Sequence, residues 1–488
     1  FQDNIFTLCD WVEAGGRCMF FATLDPTVVF RSIASKLGIV DGGVGYTSVV
    51  GLKIQDNFMV GAAGFEYAWE EPSASVLDVR LDAACTVHVA SNGANAVPML
   101  WERNYGKGRF VVNNHGMCEK VTRGLTAAAY SLLQDVFAYP VINSSVFFLD
   151  DFPSPVPMGN GEYIRKYFGR DISSFYSNIW WPDMLKIAEK HGVRYTGVVI
   201  EDYSERTSGT FPRTTDTERF RYFGGLLLEK GGEIGIHGYN HMPLCPDGFD
   251  FLGKVDYETW PTANDMRSAI AELMDFTKTL FPKNTISTYV PPSNILSAEG
   301  RAMLAESFPE IRTLSGVFLK EDYEYEQEFC VSDDGIVELP RIISGAILDP
   351  YMRWAAFNEL NFQYVNSHFI HPDDVLDEDR GAALGWNTLR DNLDGYMDWL
   401  YGAAPGLRNQ TAAEASRAVQ RYDCLTVDRT LENGVYRLNL QGFADEAYLL
   451  LRLDGRCQKI TGGSLEQVNG SLYVLRATAP EVTVVLAS

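Results

Sequence analysis

Three short stretches of the chain gather the residue types able to do chemistry. In Phe147-Phe148-Leu149-Asp150-Asp151-Phe152-Pro153 an apolar run ends on two adjacent carboxylates. Neighbouring side chains of a strand point to opposite faces, so Asp150 and Asp151 serve one site only where the strand breaks, and Pro153 supplies a break. In Ile234-Gly235-Ile236-His237-Gly238-Tyr239-Asn240-His241 two imidazoles stand four residues apart, a spacing that puts both on one side of a helical turn, where they share a metal. In Tyr364-Val365-Asn366-Ser367-His368-Phe369-Ile370-His371-Pro372 a third apolar run ends on two more histidines. Core histidines have no reason to gather at one end of successive strands, whereas a site on the C-terminal face of a β/α barrel requires it. Two imidazoles and one carboxylate leave coordination positions open on a divalent cation, zinc first among the transition metals that fit. Such a cation acidifies water from a pKa of ~15.7 toward ~7 and polarises a carbonyl, while a second carboxylate takes the water's proton and a protonated histidine feeds the leaving group. The chemistry is hydrolysis of an amide or an ester.

These residues need a scaffold, and the pattern around them predicts one. Strand candidates at 146–152, 195–203, 233–239, 287–292, 312–319, 337–342 and 361–372 alternate with amphipathic helices at 180–192, 219–232, 266–281 and 298–308. Repeated strand-then-helix units build a parallel sheet, so residues 141–408 are expected to form a closed or nearly closed, possibly distorted β/α barrel within an α/β fold class. Residues 1–140 read as a separate α/β domain, with strands at 85–90 and 108–116 and a helix at 122–137. That domain resembles the flavodoxin-like, glutamine-amidotransferase-like domains in strand order and in the stretch 105–112. It lacks their nucleophile motif, so a non-catalytic role is expected. From residue 409 to 488 the helical pattern gives way to short alternating strands separated by Gly and Asn turns, the pattern of a small β-sandwich appendage.

The balance of 41 basic against 64 acidic residues leaves a net charge of −23, which disfavours nucleic acid or an anionic membrane as the main partner. No run of eighteen apolar residues is present to span a bilayer. The opening residues carry no charged-then-apolar leader, and the chain starts without Met, so compartment is read from substrate class alone. The eight cysteines show no C-x-x-C pair, so they give no sign of a zinc ribbon or a redox centre, and most read as buried thiols.

Taken in order, Asp150-Asp151, then His237-x-x-x-His241, then the proline-rich Tyr289-Val290-Pro291-Pro292-Ser293-Asn294, then a late strand ending in histidine, the chain resembles the polysaccharide deacetylases (NodB homology, carbohydrate esterase family four) as a divergent branch. The resemblance covers about 260 residues. It implies that Asp150 is the catalytic base, that Asp151, His237 and His241 hold the metal, and that His371 or His368 is the general acid. It further implies a substrate groove lined by Pro291, Pro292, Asn294 and Tyr239, with Arg341 a candidate substitute for the arginine missing beside Pro291. No Asp-Trp fourth motif is present. Because His368 and His371 are an odd number of residues apart, only one faces the barrel axis; His371, next to Pro372 and nearer the rim, is the expected acid. The implied function is metal-dependent removal of acetyl groups from an N-acetylhexosamine polysaccharide, with the enzyme secreted or at the cell surface. Two other readings stay open: a relative that binds polysaccharide without turnover, and a glycoside hydrolase on a similar barrel.

Overall fold

The strand that carries the paired aspartates is buried along its whole length, as the middle of a sheet covered on both faces must be. In the computed structural model, which describes residues 2–62, 64–69, 74–93, 95–153, 161–319 and 324–487, it belongs to a nine-stranded sheet. The strands are Ser144–Phe152 (β1), Tyr195–Val199 (β2), Glu233–Ile236 (β3), Thr288–Tyr289 (β4), Thr313–Leu314 (β5), Cys330–Val331 (β6), Val337–Glu338 (β7), Ile343–Ser344 (β8) and Val365–Ile370 (β9). Their order across the sheet is β6-β7-β5-β4-β3-β2-β1-β9-β8. All neighbours run parallel except β6 against β7. Helices Trp181–His191, Glu218–Glu229, Ala263–Leu280 and Ala298–Ser307 fall between successive strands, as the alternation predicts.

Among the described residues the sheet curls but does not close, because β6 and β8 end it without pairing to each other. Strands β4 to β8 reach only two residues each. Pro291 and Pro340, which lack an N–H for the ladder, and Gly316 and Gly345 stand just beyond β4, β7, β5 and β8 and cut them short. Since every parallel strand points the same way, Asp150, His237, Asn294 and His371 all fall at C-terminal strand ends.

Among the described residues, those of 1–140 do not form the expected flavodoxin-like parallel sheet. Their six-stranded sheet pairs antiparallel throughout except for Arg17–Phe20 beside Gly108–Asn113. The turn at 105–108 shows why: Tyr105 pairs with Gly108 across Gly106, whose φ is 59°, and a two-residue hairpin forces the flanking strands to run antiparallel. The helix predicted at 122–137 is present at Arg123–Ser131. It lies against Pro350–Phe362 (α1), so close at Gly124 that a Cβ there would fall 2.0 Å from the Asn358 carbonyl oxygen.

The C-terminal sandwich has two four-stranded sheets, and one of them includes Val136–Val141 from the region before the barrel, paired antiparallel with Ala447–Leu453. The helix after residue 408 belongs to the barrel's underside. In Ala412–Asp423 the amides of Ala412 and Ala413 donate to Thr196 Oγ1 at 2.9 Å and to Glu233 Oε2 at 2.9 Å, both at the N-terminal ends of barrel strands. No described helix is long and apolar enough to cross a membrane.

Candidate active site

The break that lets two adjacent aspartates share a site lies at Asp151 itself, two residues before Pro153. Between Leu149, opposite Gly197, and Phe152, opposite Val199, β1 holds one more residue than β2. Asp151 takes up this bulge with a left-handed φ of 51°, a conformation that costs a non-glycine residue about 1–3 kcal/mol and persists where the surroundings impose it. Both carboxylates therefore line one cavity of about 540 Å³ above the sheet.

The two histidines of the second stretch reach the same cavity without a helix. His237 continues β3, its amide donating to the Val199 carbonyl at 2.8 Å. The chain then turns through Gly238 (φ 81°) and brings His241 (φ 60°) back beside it. The rings sit 5.0 Å apart at 76°. The expected helical turn is not there: irregular backbone performs the return.

His237 Nε2 and His241 Nε2 stand 3.6 Å and 3.7 Å from Asp151 Oδ1. His237 Nδ1 lies 2.9 Å from the Val290 carbonyl oxygen, which can only accept, so Nδ1 carries the hydrogen and a neutral ring leaves Nε2 with a lone pair. His241 Nδ1 meets the Tyr257 hydroxyl at 3.2 Å, and that hydroxyl is 2.6 Å from Ser293 Oγ. Burial lowers both imidazole pKa values to about 4, which keeps the rings neutral near pH 7. Asp151 Oδ1 is buried with no hydrogen-bond partner among the described residues. The lone pair of His237 Nε2 and the unpartnered carboxylate oxygen of Asp151 repel each other unless a cation lies between them, and His241 Nε2 completes a set whose ligand atoms all lie within 4.8 Å of one another. The donor set fits a divalent metal.

Asp150 faces a different partner. Arg341 Nη1 donates to its Oδ2, and Nη2 of the same guanidinium donates to Asn294 Oδ1. The guanidinium stacks 4.1 Å over the Phe369 ring. Burial would raise the Asp150 pKa, but Arg341, His237 and His371 outweigh it and hold the carboxyl below its usual value. His371 Nε2 lies 3.8 Å from Asp150 Oδ2, while its Nδ1 lies 3.6 Å from Asp374 Oδ1. Burial opposes the charge on His371, yet Asp374 and Asp150 raise its pKa to about 9, so the ring is an imidazolium at neutral pH.

The structure thus brings Asp150, Asp151, His237, His241, Asn294, Arg341 and His371 to one cavity. It places the other predicted residues elsewhere. His368 is fully buried one layer down, its Nε2 donating to the Gly345 carbonyl at 2.7 Å and its ring against Phe147 and Tyr396. Tyr239 is buried with its hydroxyl on the Pro212 carbonyl at 2.6 Å. Pro291 and Pro292 are buried beneath the wall rather than lining it. The sequence reading missed Asp374, Arg380 and Tyr257. Asp374 had a signal, standing three residues after His371 in a proline-started turn; Tyr257 had none, since it arrives from a long loop.

An open β/α barrel with a two-histidine, one-aspartate cluster beside a carboxylate–arginine pair defines the class of site. The fold is shared with the crystal structure of Agd3, described as a novel carbohydrate deacetylase: TM-score 0.57, 11% identity, covering 100% of this chain and 88% of that one. The chain belongs to the family described as "Uncharacterised protein conserved in bacteria (DUF2194)", whose profile matches residues 73–474. Weaker likenesses include the peptidoglycan deacetylase PdaC from Bacillus subtilis (TM-score 0.28, 10% identity, 57% of this chain and 92% of that one). They also include a CE4 family pseudoenzyme, BA3943 from Bacillus anthracis (0.31, 12%, 57% and 66%). No protein of curated function matches this sequence.

Proposed function

We propose that this chain is a metal-dependent hydrolase that removes acetyl groups from the amide nitrogens of a hexosamine-containing polysaccharide outside the cytoplasm. The observation that carries the reading is the convergence of Asp151, His237 and His241 on one point next to the Arg341-paired Asp150 and the charged His371. Asp151 and the two Nε2 atoms would hold the cation, zinc foremost. When bound, it supplies Lewis acidity toward the acetyl carbonyl and toward water.

The remaining work falls to the chain's own groups. Asp150 stays ionised because Arg341 compensates its charge, and its unpartnered Oδ1 is the atom placed to take a proton from the attacking water. Arg341 also fixes the carboxylate's orientation through Asn294, so the base does not rotate away. His371, which faces the same Asp150 Oδ2 as Arg341, carries the proton that the amide nitrogen needs when its bond to the acetyl carbon breaks. Water adds OH to the carbonyl carbon, the nitrogen leaves with a proton, and acetate and a free amine result.

The test is metal analysis of the purified protein followed by acetate release from N-acetylated hexosamine polymers with and without chelator. Acetate release that a chelator abolishes and zinc restores is the expected result. Release of new reducing ends without acetate indicates a glycoside hydrolase, and polymer binding without either product indicates a non-catalytic relative; each overturns the proposal.

A further inference from the structure

A second, larger cavity of about 810 Å³ lies beside the first, and the two share Ala346 and Ile347 in their linings. One wall comes from the N-terminal region through Phe65, Glu66 and Asn92; the opposite wall is a face of Trp386–Ala403 (α2), the helix that precedes Ala412–Asp423 in the chain. We propose that this groove receives the glycan chain next to the reacting sugar, so that the substrate is an extended polymer held across two regions of the protein. The proposal rests on the deacetylase reading for the identity of the reacting unit.

Three observations point to a glycan as the occupant. First, the groove is continuous with the candidate active site, separated from it only by the 346–347 segment, whose Ile347 is 43% exposed. Second, its lining mixes aromatic and polar groups as sugar recognition requires: rings for the apolar faces of pyranoses, amides and charges for their hydroxyls. Phe65, Tyr396 and Trp399 supply the rings. The side chains of Arg353 and Asn392, both exposed, make no hydrogen bond to the described residues, nor does the Trp399 indole N–H. Third, the walls are held in place before any ligand arrives. Phe65 stacks on Phe357 of α1 at 4.1 Å, and Asn361 bonds both the N–H and the carbonyl of Val60 at 2.7 and 3.0 Å.

Gly395 belongs to the α2 wall. It lies inside α2, where glycine costs about 1 kcal/mol relative to alanine, and a Cβ there would meet nothing within 4 Å. No packing constraint calls for glycine, and its effect is to leave the groove open between Asn392 and Trp399. From Asp391 to Trp399 the helix presents about 12 Å of groove, on the order of two sugar units.

The experiment measures kcat/KM for acetate release on N-acetylhexosamine oligomers from the monosaccharide to the hexasaccharide, for the wild type, Gly395→Arg and Trp399→Ala. The wild-type value is expected to climb with chain length. In both variants the climb is expected to disappear, a loss of about tenfold or more on the hexasaccharide. Gly395→Arg places its side chain in open space, so a folding defect in Trp399→Ala leaves the test intact. Wild-type dependence on chain length in Gly395→Arg overturns the proposal. Should the wild type release no acetate from any oligomer, the hydrolase reading fails on its own, and affinity electrophoresis through gels containing the N-acetylated polymer judges the groove: retardation lost in Gly395→Arg supports it, and equal retardation overturns it.

Discussion

Arg341 and Asp150, 191 positions apart in the chain, meet as a buried ion pair in which the guanidinium also holds Asn294 and stacks on Phe369. Removing one partner leaves the other charged and desolvated. Arg341→Met is therefore expected to destabilise the fold by roughly 3–5 kcal/mol in urea titrations. The double variant with Asp150→Asn should recover part of that loss; strictly additive losses would mean the pair is not energetically coupled.

Asp150→Asn alone separates base from ligand. It should keep a full equivalent of metal and lose about 100- to 10,000-fold in acetate release. Loss of metal along with activity would exchange the roles of Asp150 and Asp151.

His237→Ala and His241→Ala each remove one of the two imidazoles facing Asp151 Oδ1. Stoichiometric zinc should be lost in both, read by elemental analysis after dialysis, because the remaining two ligands bind far more weakly. Either variant retaining a tight equivalent would refute the assignment.

The pH dependence follows from His371. Its folded pKa of about 9 lies above the ordinary 6.5, so its stabilising charge is fully present below about pH 6.5 and is lost as pH rises through about 9. The rate profile should fall on the same high-pH limb. Asp374→Asn removes the main group that raises this pKa and should move the limb to lower pH with metal content unchanged. His371→Gln should erase the limb. His368→Gln, altering a ring bonded to the Gly345 carbonyl below the cavity, should lower stability and keep the limb; the reverse pair of outcomes would reassign the acid.

The helix Ala412–Asp423 yields a prediction about boundaries. A chain ended at Arg408, where the strand-helix pattern stops, would leave Thr196 and the buried Glu233 without the amides of Ala412 and Ala413. Such a barrel should be open to protease, whereas the chain carried through Asp423 should be more resistant. Thr411→Ala, which breaks the capping box with Glu414, should cost about 1 kcal/mol.

Local sequence determined the barrel's strand and helix alternation, because apolar periodicity is a property of each segment alone. It also located the carboxylate pair and both histidine-bearing strand ends, since parallel strands deliver their C-terminal residues to a common face. The odd separation of His368 and His371 was enough to send them to different layers. What remained hidden was decided by contacts across long separations. The antiparallel N-terminal sheet came from hairpin pairing that a strand count does not reveal. Val136–Val141 and Ala412–Asp423 crossed the boundaries read from composition, because a strand or helix joins whichever neighbour satisfies its hydrogen bonds. Asp151 found its left-handed bulge, and Arg341 its carboxylate, only when the folded sheet set β1 beside β2 and beneath the chain that follows β7: backbone strain and buried charge pairs are settled by the surroundings, and the surroundings exist only in three dimensions.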